Sequence, residues 1–594
     1  MGIIKNIHVN MSRIKQLLLN HRVAIIFAIL VSVITAFPQV YFRIDHKELY
    51  QEGTQVIEML PHGPWAARVT EVQNGHVLGS NVYQKEGKND PYVYQPLGPM
   101  VVAYLGSIFN LEINNTLLLS RFVLPFIVFL LIYGFVFLVS RDKFAALSSA
   151  VVLLLADSVL SYSGITRLLQ GVSPDHFLRL ARPVNPAIIY LFLFPFLLFF
   201  WQFYRKRNWK HGALSVIVLG LNFYNYFYTW TYLYAFGSIL ILLLIIQRNW
   251  KQALRIGSVF VGGAIVAIPY FINMYQASQF PTFKDLGISS GIILSHQPLF
   301  IGSSIFIALL FYLFLFPRID KEKYLFGLAI LLAPFLTMNQ QVLTGRIMQP
   351  DHYHWFFHKP LAVSFVLITI FYLFDRYHLD LYKKIFAILV ITSSMAVAVF
   401  VQAYSYQYDS RDGGEIAIER QKYGPVMDWL NSNVEKEAQI FGNDDTADMT
   451  VRYTSLNVLY HPGICCTSIS VTKSTLHETL FTFFRLNEVD AQSAYEAFSR
   501  ERAFVSRHLF GIYYRKLYGS YEAISDEKFE EIVALYKETL STPTSVWLYG
   551  IWKKYEVEYL VWDRIEDPLW QLDQYEYLEK VAEFGNIAIY RFNP

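Results

Sequence analysis

Long apolar runs separated by short loops occupy roughly the first two thirds of this 594-residue chain. A helix needs about 20 apolar residues to cross the hydrocarbon core of a bilayer. Eleven runs approach that length, at 23–42, 117–139, 144–162, 184–203, 212–228, 232–247, 256–274, 299–316, 323–337, 360–375 and 385–404. Because lipid offers the backbone no hydrogen-bond partners, such runs must be helical. The sequence therefore predicts an all-α polytopic membrane domain of about eleven transmembrane helices.

The composition changes near residue 404. The whole chain is 16% charged, against about 25% in soluble globular proteins, and the deficit lies before that residue. Beyond it, helical patterns at 424–433 and 526–540 alternate with short apolar strands at 438–441, 457–460, 559–563 and 587–592. Two domains are predicted: a transmembrane domain at 1–404 with a long first loop at 43–116, and a soluble α/β domain at 405–594 that we expect to fold by itself.

Basic residues mark one side of the membrane. They lie in the N-terminal segment and in every second loop: Lys5, Arg13, Lys15 and Arg22; Arg141 and Lys143; Arg205, Lys206, Arg207 and Lys210; Arg248, Lys251 and Arg255; Arg318, Lys321 and Lys323; Arg376, Lys383 and Lys384. The positive-inside rule assigns this side to the cytoplasm. An odd number of spans then puts 405–594 outside, in a multi-pass protein of the plasma membrane whose first helix stays uncleaved.

The first outer loop opens with Asp45 at the end of the first helix, followed by His46 and Glu48. An aspartate at a membrane interface is suited to remove a proton from a hydroxyl within hydrogen-bond reach. Aspartate is also a favoured helix N-cap, and Asp45 precedes a predicted helix at 50–60. Both interpretations stay open at the level of sequence.

The same loop closes with residues 90–99, which read DPYVYQPLGP, followed by an apolar segment that ends in Tyr104-Leu105-Gly106. An acid after helix one, a later Pro-Leu segment and an apolar helix ending in Leu-Gly resemble the GT-C class of membrane glycosyltransferases, of the protein mannosyltransferase and aminoarabinose transferase type. The predicted helix count, long first loop and outward domain are similar too. The chain departs from the mannosyltransferase pattern at His46, where related proteins often carry Glu.

The resemblance implies transfer of a sugar from a polyprenyl-phosphate carrier to a glycan, lipid or protein acceptor on the outer face. It implies that Asp45 is the catalytic base, with His46 and Glu48 beside the substrate. Such a reaction also needs cations to hold the leaving phosphate. Arginine suits this task because its planar fork grips two phosphate oxygens.

Two further outer loops supply candidate residues for substrate binding. These are Asp175, Arg179 and Arg182 in the second loop, and Asn339, Gln340, Arg346, His352 and His354 in the fourth. On a helix, Arg179 and Arg182 would share one face. The alternative is that these groups are solvated loop charges or interfacial side chains, and for Lys359 we favour that interpretation.

Three outer loops contain an Asp-His dipeptide, at 45–46, 175–176 and 351–352. Aspartate oxygen and histidine nitrogen both bind divalent cations, so a metal stays an open alternative, with no certain cofactor. The net charge of +3 is too small to indicate nucleic acid as a partner. Two other functions remain as alternatives to glycosyl transfer: a transporter or lipid flippase, and a non-catalytic assembly protein of the cell surface.

Overall fold

The computed structural model describes residues 16, 18–50, 54, 65–299, 302–316, 320–408, 414–461, 463–511 and 524–594. It has a helical part up to residue 408 and a mixed α/β part from residue 414. The helix predicted at 50–60 lies outside the described residues, apart from residues 50 and 54.

The helical part contains the membrane helices and several shorter ones. In chain order they are α1 (Arg22–Asp45), α2 (Trp65–Gln73), α3 (Leu97–Ile108), α4 (Ile113–Ser140), α5 (Lys143–Leu155), α6 (Tyr162–Leu169), α7 (Ala187–Lys206), α8 (Trp209–Asn225), α9 (Phe227–Ile246), α10 (Trp250–Val266), α11 (Ile268–Ala277), α12 (Phe283–Ser289), α13 (Ser303–Leu315), α14 (Lys321–Thr337), α15 (Gln341–Thr344), α16 (Pro350–Tyr353), α17 (Lys359–Arg376) and α18 (Asp380–Tyr408). A short antiparallel pair, β1 (Ile292–Leu294) and β2 (Arg346–Met348), joins two of the loops.

Each of the eleven apolar runs coincides with a helix or a bent pair of helices, but their lengths differ. Seven helical segments in the described part are long and apolar enough to cross a membrane, or eight if the pair α10 and α11, bent by 51°, is one span. Helices α5 and α13 have 13 residues each, or about 20 Å against a hydrocarbon core of about 30 Å. A multi-pass membrane domain is thus confirmed, with seven to eight candidate spans.

Small residues bring the membrane helices together. Helix α1 packs on α4, which also packs on α5 and α7. The face that α1 buries includes Ala24, Ala28, Ser32 and Thr35, which recur every three to four residues and so lie on one side of the helix. Because lipid is as apolar as leucine, close contact between such small side chains stabilises a membrane helix pair.

The α/β part contains a five-stranded sheet, whose strands are β3 (Gln439–Gly442), β4 (Asn457–Val458), β5 (Val557–Asp563), β6 (Leu578–Phe584) and β7 (Ile587–Phe592). Their order in the sheet is β4-β3-β5-β7-β6. Strand β3 is parallel to β4 and β5, while β7 is antiparallel to both β5 and β6. The helices are α19 (Gly414–Arg420), α20 (Gly424–Asn433), α21 (Asp444–Tyr453), α22 (Lys473–Leu486), α23 (Ala494–Arg500), α24 (Arg502–Phe510), α25 (Asp526–Thr539) and α26 (Thr544–Lys554). The predicted α/β class is confirmed, and β6 is an addition to it.

The first loop takes part in the core of the α/β part. Ala67, Val82 and Tyr83 are buried in the same apolar cluster as residues of α20 and β3. The Val458 backbone N–H of β4 donates to the Tyr83 carbonyl at 2.7 Å. The two parts therefore pack directly against each other.

Candidate functional site

The second outer loop is held down by polar side chains from the membrane helices. Arg121 of α4 donates from Nε to the Ala181 carbonyl at 2.8 Å, and Ser120 donates to the Pro183 carbonyl at 2.9 Å. The 3₁₀ turn Arg179–Ala181 packs against α1. Arg182 follows that turn in an extended conformation, so the two arginines are not on one helical face.

Four side chains form what we call the polar cluster: Asp157, Arg179, Trp355 and Lys359. Arg179 Nε lies 2.8 Å from Asp157 Oδ2. Lys359 Nζ donates to the Asp157 backbone carbonyl at 2.7 Å. Both cations also lie over the Trp355 ring, Arg179 at 3.6 Å and Lys359 at 3.8 Å from the ring centroid. The stacked ring and the aspartate partly offset the cost of holding two cations away from water.

Lys359 corrects one prediction from sequence. The sequence predicts a solvated loop charge or an interfacial side chain, yet only 4% of the surface of Lys359 is exposed. The reason is its place at the start of α17, directly after the π-helical turn His354–His358, which turns the ammonium inward onto Trp355 and Asp157. Single π turns often occur at functional sites.

Lys359 also lines an apolar groove of about 420 Å³. The other lining residues come from α5, α13, α17 and α18, together with Leu160. Lys359 is the one charged side chain among the described residues that line this groove. An anionic head group on a long apolar tail matches such a lining, because the ammonium attracts the head and the walls cover the tail.

Several predicted residues gather around the polar cluster. Arg182 interacts electrostatically with Arg179, Asp175 and Tyr226. His354 interacts with the charges of Lys359 and Arg179. His352 reaches the same surroundings, because its Nδ1 hydrogen-bonds the Tyr226 hydroxyl. Asp175, Arg179, Arg182, His352 and His354 are therefore neighbours of one site.

Asn339, Gln340 and Arg346 have a different environment. Gln340 donates to the Arg346 carbonyl at 2.7 Å, and the Asn339 side-chain oxygen accepts from the Leu299 backbone N–H at 3.0 Å. Arg346 itself is exposed on β2 and makes no ion pair within the described part of the chain. The first two side chains shape the loop around the β1–β2 pair.

Asp45 lies at the end of α1, with 45% of its side chain exposed. The Tyr406 hydroxyl of α18 donates to its carboxylate, and His46 Nε2 is 3.9 Å away. No backbone N–H donates to that carboxylate, and no ion pair joins it to Arg179, Arg182 or Arg346, among the residues that the structure describes. Glu48 is exposed.

The end of α18 connects Asp45 to the second loop. Tyr406 bonds Asp45, while the Tyr404 ring lies 6.1 Å from the ring of His176. The three Asp-His dipeptides do not converge: within the described ranges, no group of three or more His, Cys, Asp or Glu is placed to hold a metal ion.

Sequence reasoning missed Asp157 and Trp355. Asp157 lay inside a run assigned to a membrane span, and an ionisable residue in such a run is itself a signal of a functional site. Helix α5 ends at Leu155, so the aspartate lies just past its end. For Trp355, the one feature of the sequence that could indicate a functional site is its position among histidines in the fourth loop.

An acidic cluster of another kind lies at the carboxyl ends of β3 and β5; its members are Asp444, Asp445, Asp563, Glu566 and Asp567. Two cations from the segment that follows the last membrane helix bind it. Arg420 pairs with Asp445 at 2.6 Å and Lys422 with Asp563 at 2.6 Å. The cluster thus anchors the connection between the membrane part and the α/β part.

The polar cluster has the composition of a site for an amphiphilic anion. Buried Lys359 lines an apolar groove, the Arg179 guanidinium shares the Trp355 ring with it, and Arg182 interacts electrostatically with Arg179. Arginine and lysine together bind phosphate by shape and by charge. No protein-family model matches this sequence, and no curated protein matches it either.

Proposed function

We propose that the protein is an integral membrane glycosyltransferase that moves a sugar from a polyprenyl-phosphate donor to an acceptor on the outer face of the membrane. The observation that carries this proposal is the apolar groove that Lys359 lines, with Arg179 on the same Trp355 ring as Lys359 and Arg182 interacting electrostatically with Arg179. The groove suits a polyprenyl chain, and the cations suit its phosphate.

The cations would act when the glycosidic bond to the phosphate breaks. Negative charge then grows on the leaving phosphate, and fixed positive charges at that position lower the barrier. Arg179 is held in place by Asp157 and Trp355, so it is oriented before the substrate arrives. Lys359 supplies a second positive charge. Its ammonium contacts the neutral Asp157 backbone carbonyl and the Trp355 ring.

Asp45 is the carboxylate that we assign to the acceptor hydroxyl. Asp157 is paired with Arg179, and Asp175 accepts a hydrogen bond from the His176 backbone N–H at 2.9 Å. Asp45 is half exposed and pairs with no lysine or arginine in the described part, so its carboxylate is available to a hydroxyl.

The first experiment removes the buried charge. The assay uses proteoliposomes with a labelled polyprenyl-phosphate sugar. We expect Lys359→Gln to lower kcat/KM by roughly 10–100-fold, which is the effect of losing one hydrogen bond from a charged group. Glutamine keeps an apolar stem and a neutral N–H donor at this position, so the fold should persist. The matched control is Lys251→Gln, which changes an exposed lysine at the start of α10. Unchanged transfer in Lys359→Gln would refute the role of the groove.

The second experiment tests the base. Asp45→Asn keeps the shape and the bond from Tyr406 but cannot accept a proton, so turnover should fall by roughly 10²–10⁴. Donor binding should be unaffected. Wild-type protein that moves the labelled lipid between leaflets without any transfer would favour the flippase alternative instead.

The topology is part of this proposal. We propose that α5, α8 and α13 complete eleven spans, that the basic loops face the cytoplasm and that the α/β domain lies outside the plasma membrane. With Cys465 and Cys466 replaced by serine, a membrane-impermeant maleimide added to intact cells should label Glu579→Cys and spare Lys210→Cys. Labelling only at position 210 would show that the orientation is the opposite of the one proposed.

A further inference from the structure

Helix α6 presents an apolar stripe to its surroundings. Its residues Tyr162, Ile165 and Leu169 are 86%, 47% and 81% exposed. Their spacing of three and four residues places them on one face of the helix. Single exposed apolar side chains are common, but three in line on an eight-residue helix call for a partner.

Apart from Gly164 and Leu168, the rest of α6 is polar, and the helix carries no acid. Ser161 caps its start, accepting from the Gly164 backbone N–H at 3.1 Å, and Arg167 is its single charged residue. A short helix with one apolar face and one cation is complementary to a phospholipid surface, where acyl chains lie beneath anionic phosphates.

The stripe is continuous with the surface that faces lipid. The 3₁₀ turn Ser158–Leu160 leads directly into α6, and its Leu160 lines the apolar groove beside α13. On α13, Phe306 and Ile307 are 49% and 63% exposed. The apolar surface of the membrane helices therefore extends to the start of α6.

We propose that α6 lies flat in the membrane interface on the side of the polar cluster, with its apolar stripe among the acyl chains and Arg167 at the lipid phosphates. Tyrosine favours this depth. The helix would fix the depth of the turn Ser158–Leu160 and of the neighbouring Asp157 carbonyl that binds Lys359. This lipid contact goes beyond the proposed function and holds whatever reaction the protein performs.

The test places a fluorescent probe on each face of α6. Full-length protein with Cys465 and Cys466 replaced by serine carries bimane at Leu169→Cys or, as the control on the polar face, at Gln170→Cys. Both positions are exposed, so both variants should fold. The proteins are reconstituted in phosphatidylcholine–phosphatidylglycerol vesicles with and without bromine on the acyl chains.

We expect brominated lipid to quench the probe at position 169 severalfold more than the probe at 170, and aqueous iodide to show the reverse order. Ile165→Cys should behave like position 169. Iodide quenching that is strong at both positions would place the helix in water and overturn the proposal. A probe at 169 shielded from both quenchers would mean that protein covers the stripe, which also overturns it.

Discussion

At the scale of single residues, the most unusual feature is a lysine that is buried without a carboxylate of its own. Lys359 donates to a backbone carbonyl and stacks on Trp355, while the Asp157 carboxylate is taken by Arg179. Burying an ammonium is costly unless it is paired. A phosphate bound in the groove would supply the missing negative charge, so the site is poised for an anion.

The acidic cluster leads to a prediction about pH. Burial, followed by the charges of Asp445, Asp444 and Asp567, raises the pKa of Glu566 from 4.5 to about 8, against the hydrogen bond from the Asp445 N–H. The folded protein therefore keeps a proton that the unfolded chain releases. The resulting stability is fully present below pH 4.5 and is lost as the pH rises through 8.

Glu566→Gln removes this titration. Its apparent Tm relative to the wild type, measured in detergent by intrinsic fluorescence, should therefore rise between pH 5 and pH 8 and level off above pH 8. The control is Glu579→Gln, on an exposed position of β6, for which the difference from the wild type should stay constant. A constant difference for Glu566→Gln would contradict a proton held at this position.

Charge type and loop position singled out Asp175, Arg179 and Arg182 in the sequence, because polar residues between two apolar runs stand out. The structure brings them together, and their role in substrate binding stays a prediction. Lys359 was misjudged because its neighbours in sequence do not reveal the turn that buries it. Asp45 was identified by resemblance, and its partner Tyr406 is about 360 residues away, a contact that no local pattern encodes.

At the scale of elements, apolar length located a helix or a bent helix pair at each of the eleven predicted spans, and seven to eight of them in the described part are long and apolar enough to be candidate spans. Helix α5 ends at Leu155 because the run continues through Asp157 and serines into the polar cluster. Strand β6 was missed because its sequence, LEKVAEF, does not alternate strictly between apolar and charged residues, and its register shifts between Lys580 and Ala582. It lies at the edge of the sheet, where charge protects against strand pairing with other chains. Local hydropathy cannot distinguish such a strand from a polar loop.

Close helix packing gives a prediction at this scale. A methyl group on Gly237 of α9 would lie 2.1 Å from Cζ of Phe260 on α10, and Phe260 is confined between Phe196, Phe200 and Tyr234. Overpacking of this kind costs about 1–3 kcal/mol. We therefore expect Gly237→Ala to lower the apparent Tm of the detergent-solubilised protein.

The matched control is another helical glycine with room around it. At Gly134 of α4, the nearest atom to an added methyl group is 3.9 Å away. Alanine there should be neutral, or stabilising by about 0.5–1 kcal/mol, because it restricts the unfolded chain. Equal effects of the two substitutions would show that the α9–α10 contact is not closely packed.

At the scale of the whole molecule, the two parts share a core. Sequence composition correctly separates a membrane part from an α/β part, because the density of charge changes between them. Composition cannot reveal that the first loop packs into the α/β core, since that contact joins residues more than 300 positions apart. Thr70, for example, donates to the Arg452 carbonyl at 2.7 Å.

That the α/β domain folds alone stays a prediction. The shared core bears on it because part of that core comes from the first loop. A fragment of residues 410–594 would lose the cover that Val82 and Tyr83 provide and would leave the Val458 N–H without its partner carbonyl. Burial of Val82 alone is worth about 1.5–3 kcal/mol. We expect the fragment to melt cooperatively. Fusing residues 65–96 to it through a flexible linker should raise its Tm by roughly 3–12 °C.

In the fusion, Tyr83→Ala should abolish most of that gain, whereas Leu78→Ala, at an exposed position of the same loop, should preserve it. Equal melting of the fragment and the fusion would mean that the loop packs on the domain without stabilising it.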